Sequence, residues 1–182
     1  MRQKGPGRPR PPLNDEKLNE LMMAYVGRFA TSRAKLASYL SRKLKERGWS
    51  GGGEPPLEAL VEKAARLGFV DDAAFALSKA RSLTARGYGA RRVGQALHAA
   101  GIEEKDGEAA RDHARDEAVD AALRFARRRR IGPFASERAD PAQKEKALAA
   151  MVRAGHDFRL SKSILALAPG SEVDPGAFQD FA

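Results

Sequence analysis

Three glycines recur along the chain at a nearly constant interval, and that interval constrains the fold more than any other feature. Gly48, Gly101 and Gly155 are 53 and 54 residues apart. Glycine readily adopts the left-handed backbone that ends many helices, so each is expected to follow the last turn of a helix. A repeat of this length predicts tandem helical units. The residues four positions earlier are all large and apolar: Leu44, Leu97 and Met151.

Between these glycines, apolar residues follow the period of a helix almost everywhere. No segment shows the alternation of a half-buried strand. We predict an all-α fold of three tandem three-helix repeats, at residues 14–68, 69–115 and 116–169. Three helices in about 50 residues bury little apolar surface alone, so each repeat should depend on its neighbour in an elongated, curved row, right- or left-handed. A single closed globule is the alternative. The predicted apolar stripe of the first helix comprises Leu18, Leu21, Met22, Tyr25, Val26 and Phe29.

The charge of the chain is basic and unevenly placed. Lys and Arg number 33 and Asp and Glu 24, a formal charge of +9. Residues 1–13 are rich in Pro and Arg with no acid, which predicts a disordered basic tail. The charged residues of the segment 170–182 are all acidic, which predicts a flexible acidic tail. A basic body favours polyanions or acidic protein surfaces, although a merely solvated basic surface is the alternative.

Several classes of protein and site are disfavoured. The chain has no cysteine, which excludes disulfides, thiolate nucleophiles and Cys-ligated metals. No apolar run is long enough to cross a membrane and no secretory signal is present, so we expect a cytoplasmic protein. His98, His113 and His156 have no metal or triad spacing, and His113 with Glu117 is typical of a surface helix contact. We therefore expect no enzyme activity, no cofactor and no metal.

The middle of the chain carries two local motifs with structural interpretations. Asp71 and Asp72 stand at a predicted helix start, where carboxylates cap amides and favour the positive end of the dipole. Capping is favoured over a catalytic acid pair, and Phe75 one turn later is expected in the core. Gly87 and Gly89 bracket a tyrosine at the joint between two predicted helices.

Two arginines follow that joint directly. Arg91 and Arg92 lie in the first turn of the next predicted helix, where cations oppose the helix dipole. Helix stability alone does not favour them there, so an anionic partner is one explanation and a solvated face the other. Arg127–Arg130 end a further helix, where cations are favourable, and at least two of the four must face solvent.

These segments resemble a known family. Residues 68–76 read GFVDDAAFA and residues 87–102 read GYGARRVGQALHAAGI, which resembles the middle repeat of the RecX family of recombinase regulators. The first repeat is also similar, through Ser32–Leu36 and the segment from Leu44 to Gly48 and Trp49. The resemblance covers about residues 20–168 and is weakest in the third repeat. Ala90 departs from it, because many members have proline there.

The resemblance implies a non-enzymatic regulator. It would bind RecA and the RecA–single-stranded-DNA filament and mostly inhibit ATP hydrolysis, strand exchange and coprotease activity, in DNA repair and the SOS response. We expect a monomer without membrane contact, with direct DNA binding weak if present. From charge and motif position we infer a contact face for protein or DNA comprising Lys35, Arg42, Lys43, Arg81, Arg86, Arg91, Arg92, Arg127, Arg128, Arg129 and Arg130.

The alternative function is a basic helical DNA-binding protein, of the nucleoid or helix-turn-helix type, acting without a recombinase. Such binding would tolerate many sequences and fall steeply with salt. One tryptophan and three tyrosines provide few stacking platforms, which makes a dedicated single-strand binder less attractive.

Overall fold

The computed structural model describes residues 11–181, in which nine α-helices are joined by short loops and the nearest approach to a strand is an isolated bridge. The prediction of an all-α fold is confirmed. Residues 1–10 of the predicted basic tail lie outside the described residues. The helices are α1 (Asp15–Val26), α2 (Arg33–Arg47), α3 (Leu57–Arg66), α4 (Asp72–Ala85), α5 (Ala90–His98), α6 (Glu108–Asp116), α7 (Ala118–Arg129), α8 (Pro141–Arg153) and α9 (Phe158–Ala166). None of the helices in this part of the chain is both long and apolar enough to cross a membrane.

The chain divides into two compact units, with the boundary between Asp72 and Ala73. The first unit contains α1 to α3 around one hydrophobic core. The second contains two cores, one formed by α4 to α6 and the other mainly by α7 to α9. Tyr88 packs against both cores of the second unit. The division into three repeats stays a prediction.

The helix-ending glycines have a common geometry. Gly48, Gly101 and Gly155 have φ values of 79°, 67° and 95°, in the region that favours glycine. The Gly48 amide donates to the Leu44 carbonyl at 2.7 Å. At the other two sites the amide one residue further on donates to Leu97 or Met151, as in a Schellman ending. The apolar residue four positions before each glycine therefore supplies the carbonyl that closes the last turn.

Leu13 corrects the prediction of a disordered tail over residues 1–13. Its side chain is fully buried in the first core. Its amide donates to the Gly48 carbonyl at 3.0 Å, and its own carbonyl accepts from Ser50 at 2.8 Å. Trp49 forms the isolated bridge with Leu13, and its indole Nε1 donates to the Gly53 carbonyl at 3.0 Å. A buried leucine and paired backbone thus order residues that composition assigned to a tail.

The C-terminal segment also differs from its prediction. Residues 170–182 were expected to form a flexible tail, but Pro175–Phe181 forms a 3-10 helix. Phe178 is only 6% exposed and belongs to the core around α7, with Val173 packed against it. The Gly170 amide donates to the Pro133 carbonyl at 2.9 Å. Two apolar residues are sufficient to attach a segment whose charge suggested solvation.

The end of α1 differs as well. The predicted stripe continued to Phe29, but α1 ends at Val26 and Gly27 follows as its C-cap. The Phe29 side chain is 56% exposed. Phe29 lies one turn beyond the helix, so its spacing from the stripe does not bring it to the core.

Candidate functional site

The joint between α4 and α5, residues 86–89, is the centre of the candidate site. After α4 ends at Ala85, the Tyr88 amide donates to the Leu83 carbonyl at 3.0 Å, which closes the helix as a Schellman ending does. Gly87 has a φ of 75°, and a Cβ there would lie 3.0 Å from the Phe125 amide nitrogen. Glycine is therefore required twice over, by its conformation and by the close approach of α7.

Gly89 contacts the end of α8 through backbone atoms alone. A Cβ on Gly89 would lie 2.3 Å from the Gly155 carbonyl oxygen, and a Cβ on Gly155 would lie 2.4 Å from the Arg92 amide nitrogen. The Gly89 amide donates to the Ala154 carbonyl at 3.0 Å, and the Arg91 amide to the Gly155 carbonyl at 3.2 Å. The start of α5 is thus fixed to the end of α8 by main-chain hydrogen bonds.

His156 fills the interior of this joint. Its Nε2 lies 3.1 Å from the Gly87 carbonyl, which can only accept, so Nε2 carries the proton. The ring packs edge-on against Phe125 at 5.4 Å between centroids. Burial lowers the pKa of His156 to about 4; the Gly87 hydrogen bond opposes the shift, and the Arg128 charge adds to it. The imidazole is therefore neutral near pH 7, with a buried Nδ1 that has no partner within the described residues.

Two arginines of α7 bind carbonyls at and just beyond the end of α4. Arg124 donates from Nη1 to the Thr84 carbonyl at 3.0 Å and from Nη2 to Glu117 at 2.7 Å. Arg128, one turn later, donates to the Arg86 carbonyl. Cations at a helix C-terminus complement its dipole and satisfy its free carbonyls. Arg128, predicted as a contact residue, thus has a structural role of its own.

The joint places several of the predicted arginines together. Arg86 and Arg128 are in contact, and the Arg86 guanidinium lies 5.4 Å from the Tyr88 ring centroid. Arg91 and Arg92 lie at the other end of the joint, exposed in the first turn of α5. We call these four arginines, Arg86, Arg91, Arg92 and Arg128, the basic joint. The main chain that carries these four arginines is hydrogen-bonded in place.

The other predicted contact residues of the second unit lie on the neighbouring helices. Arg81 is exposed on α4. Arg127 lies 4.9 Å from the Phe134 ring centroid and Arg129 5.7 Å from that of Phe125. Arg130 ends α7 in a left-handed conformation with a φ of 53°. All four are exposed.

The remaining predicted basic residues belong to the first unit. Lys35, Arg42 and Lys43 all lie on α2. Arg42 and Lys43 both pair with Glu46, at 3.7 Å and 2.5 Å. Both cations also lie beside the ring of Tyr39, at 5.7 Å and 5.9 Å from its centroid.

The two aspartates of the sequence motif lie at the start of α4. Asp72 is buried, and its Oδ1 accepts from the Arg33 amide at 2.9 Å. Arg33 is the first residue of α2, so Asp72 caps a helix 39 residues away along the chain. Asp71 is exposed. Phe75 is half-buried and packs against the core of α4 to α6.

One histidine interpretation from sequence needs correction, and a second histidine has a role that sequence did not suggest. His113 does not pair with Glu117; its Nε2 lies 3.1 Å from Thr84 Oγ1, and Glu117 binds Arg124 instead. His156 had no assigned role because its partner Gly87 is 69 residues away, a separation at which sequence carries no local signal.

A cavity of about 310 Å³ lies beside the segment after α7, with helices α8 and α9 in its wall. Glu137 is the single acid among its lining residues, which include no histidine. No group of three His, Cys, Asp or Glu side chains in the described range could hold a metal ion. The basic joint is therefore the candidate site among the described residues.

Comparison with known proteins relates this chain to regulatory proteins. Residues 71–110 match the family model of the second three-helix domain of RecX. The regulatory protein RecX of Myxococcus xanthus (strain DK1622) is 31% identical over 175 residues, which cover 90% of this chain and 91% of that protein.

Solved structures show the same fold. The crystal structure of RecX from Lactobacillus salivarius aligns with a TM-score of 0.58 and 17% identity, over 82% of this chain and 92% of that chain. A second crystal structure, of a regulatory protein RecX, aligns with a TM-score of 0.58 and 22% identity, over 82% of this chain and 70% of that one. At these identities the likeness concerns the fold alone.

Proposed function

Because this chain belongs to the RecX family of regulatory proteins, a membership that confirms the resemblance carried by its motifs, we propose that it binds RecA and the RecA–single-stranded-DNA filament. Binding restrains ATP hydrolysis, strand exchange and coprotease activity, and the protein performs no chemistry itself. This function belongs to recombination, DNA repair and the SOS response, and we expect the protein to act in the cytoplasm.

The observation that carries the proposal is the basic joint. Arg91 and Arg92 are exposed in the first turn of α5, where their charges oppose the helix dipole. The backbone beneath them is fixed to α8 by the Gly89 and Arg91 amides. Two exposed cations that oppose the helix dipole are best explained by an anionic partner, either an acidic patch of the recombinase or phosphates in the filament.

Multivalency supports binding to an assembled filament over binding to a single protomer. The second unit presents the basic joint, and the first unit presents basic residues on α2. A filament repeats its protomers and phosphates at fixed intervals, so separate contacts by two units of one chain raise the overall affinity. Each contact can then be weak while the whole chain stays bound.

The test uses preformed RecA–single-stranded-DNA filaments and the full chain. We expect the wild-type protein to slow ATP hydrolysis and shorten the filaments, and Arg91→Glu with Arg92→Glu to weaken both effects at least tenfold in the concentration needed. Lys144→Glu with Lys146→Glu, exposed on α8, is a matched control with the same change of charge. Circular dichroism checks that both variants keep their helices.

Two outcomes would contradict the proposal. If the wild-type protein leaves ATP hydrolysis and filament length unchanged, it does not regulate this recombinase. If it binds naked duplex tightly and sequence-selectively, and no more tightly when RecA coats the DNA, the alternative DNA-binding function is correct. Equal loss of inhibition in the control variant would remove the basic joint from the contact surface.

A further inference from the structure

The first unit carries a row of three aromatic rings that runs from its core to the surface. Tyr25 and Tyr39 are partly buried against the core, whereas Phe29 is exposed, and the proposed function does not explain the row. Tyr25 lies in the last turn of α1 and Tyr39 in the middle of α2. Their rings stack with centroids 4.1 Å apart and planes 15° from parallel. Phe29 continues the series, with its ring centroid 5.3 Å from that of Tyr25. We call these three rings the aromatic platform.

The platform is open at the Phe29 end. Phe29 is 56% exposed although it is a large apolar side chain. It lies beyond the end of α1, where its amide donates to the Tyr25 carbonyl at 3.0 Å. This contact holds the phenylalanine beside the tyrosine pair. An apolar ring displayed in this way is available for stacking by a flat group from outside.

Positive charge borders the other end of the platform. Arg42 and Lys43 approach the Tyr39 ring, and they pair with the single carboxylate of Glu46. Exposed pairs of this kind contribute little to stability, so an incoming phosphate can replace Glu46 at small cost. Helix α2 as a whole has six basic residues and one acid. The aromatic platform thus has an exposed ring at one end and the cations of α2 at the other.

We propose that the aromatic platform binds single-stranded DNA, with a base stacked on Phe29 and the adjoining phosphates on Arg42 and Lys43. Exposed aromatic rings on which bases stack, beside cations that bind the phosphates, are the recurring arrangement of proteins that bind single strands without sequence preference. A partner protein surface would satisfy the rings or the charges, but an unpaired nucleotide satisfies both together. The choice of DNA over RNA rests on the proposed function, whereas the assignment of the aromatic platform as a site for single strands rests on its own geometry.

The chain's few aromatic residues make the grouping informative. Only three tyrosines are present in the whole chain, and two of them stack here. From sequence, this scarcity argued against stacking on bases. The fold overcomes it by bringing the end of α1 against the middle of α2, so that residues 25, 29 and 39 form one surface.

The first test measures binding of the full chain to a labelled oligothymidylate of about 16 nucleotides, without any recombinase. An abasic strand of the same length presents the phosphates without bases, and oligouridylate replaces the sugar. We expect tighter binding to oligothymidylate than to the abasic strand. Phe29→Ala should weaken oligothymidylate binding about tenfold, the loss expected for one base stack, and should leave abasic binding unchanged.

Matched controls separate stacking from folding and from charge. Phe29→Trp should keep or tighten binding, because indole also stacks. Phe158→Ala removes another phenylalanine, 52% exposed on α9 in the second unit, and should change nothing. A strand containing 5-iodouracil should cross-link on irradiation to a peptide that contains Phe29 or Tyr25, which tests the location on the unaltered protein.

Three results would overturn the proposal: equal affinity for thymidylate and abasic strands, no effect of Phe29→Ala, or tighter binding to oligouridylate. The regulatory function is measured separately, by inhibition of recombinase ATP hydrolysis. Full inhibition by Phe29→Ala with weakened strand binding supports the platform and leaves the regulator intact. If the wild-type chain does not inhibit ATP hydrolysis, the proposed regulatory function is contradicted and the aromatic platform is not.

Discussion

Gly89 and Gly155 meet backbone to backbone, and the contact leaves no room for a side chain on either residue. A Cβ on Gly89 would lie 2.3 Å from the Gly155 carbonyl oxygen, a distance at which one of the two chains must move. The same two segments are joined by the Gly89 and Arg91 amides. This pair is one of the contacts that join the two cores of the second unit, together with Tyr88 and the His156–Gly87 hydrogen bond.

Replacing Gly89 should therefore destabilise the protein. Gly89→Ala introduces overpacking against a main-chain carbonyl, which cannot move as a flexible side chain can, and should lower the free energy of unfolding by about 1–3 kcal/mol. Gly94→Ala is the matched control, because Gly94 lies inside α5 with open space around it. Gly94→Ala should raise the free energy of unfolding by about 0.5–1 kcal/mol, because alanine favours the helix more than glycine does. Urea unfolding followed by circular dichroism measures both, and shifts of the same sign would contradict the contact.

The stability of the second unit should depend on pH through His156. Its pKa is lowered from 6.5 to about 4 by burial. Between pH 4 and 6.5 the unfolded chain binds more protons than the folded one, so the free energy of unfolding rises with pH. The contribution of His156 to stability is therefore complete above about pH 6.5 and is lost as the pH falls to about 4. The difference is about 3 kcal/mol. His156→Gln keeps a donor for the Gly87 carbonyl but does not titrate, so its unfolding free energy should fall less steeply over that range. Parallel pH profiles would show that His156 does not carry the effect.

Removing the arginine that bridges α7 to α4 should weaken the joint. Arg124 binds the Thr84 carbonyl and Glu117, so Arg124→Gln should lower the free energy of unfolding by about 1–2 kcal/mol. Arg129→Gln, on the same helix and exposed, should change it by less than about 0.5 kcal/mol. Thermal unfolding of the two variants compares them directly. An equal decrease for both would indicate a general effect of charge.

The C-terminal segment should contribute to stability although its composition suggests a tail. Phe178 is buried against α7, and Phe178→Ala should lower the free energy of unfolding by about 3–5 kcal/mol. Phe158→Ala, at an exposed position, should change it by less than about 0.5 kcal/mol. If Phe178→Ala is as stable as the parent chain, the prediction of a flexible C-terminal tail would be correct after all.

The parts of the fold that sequence could predict are those decided within one turn of the chain. Gly48, Gly101 and Gly155 end helices because their own backbone conformations favour it. The helical period of apolar residues predicts a buried face correctly as long as the helix continues through all of those residues. It failed at Phe29 because Gly27 ends α1 before that residue is reached.

The parts that sequence could not predict depend on distant partners. The Gly87 carbonyl that gives His156 its role is 69 residues away, and the Arg33 amide bound by Asp72 is 39 residues away. Charge identified the arginines of the basic joint as candidates. Only the fold shows that Arg128 also binds a carbonyl, and that Tyr25 and Tyr39 stack.

The bridge between Leu13 and Trp49 has a practical consequence for following this molecule in solution. The chain has one tryptophan, and it belongs to the first unit. Indole emission is consequently an optical probe of one half of the chain, while the far-ultraviolet signal sums the helices of both halves. If the two melting curves separate, the halves open independently; if they superimpose, the whole chain unfolds as one cooperative body.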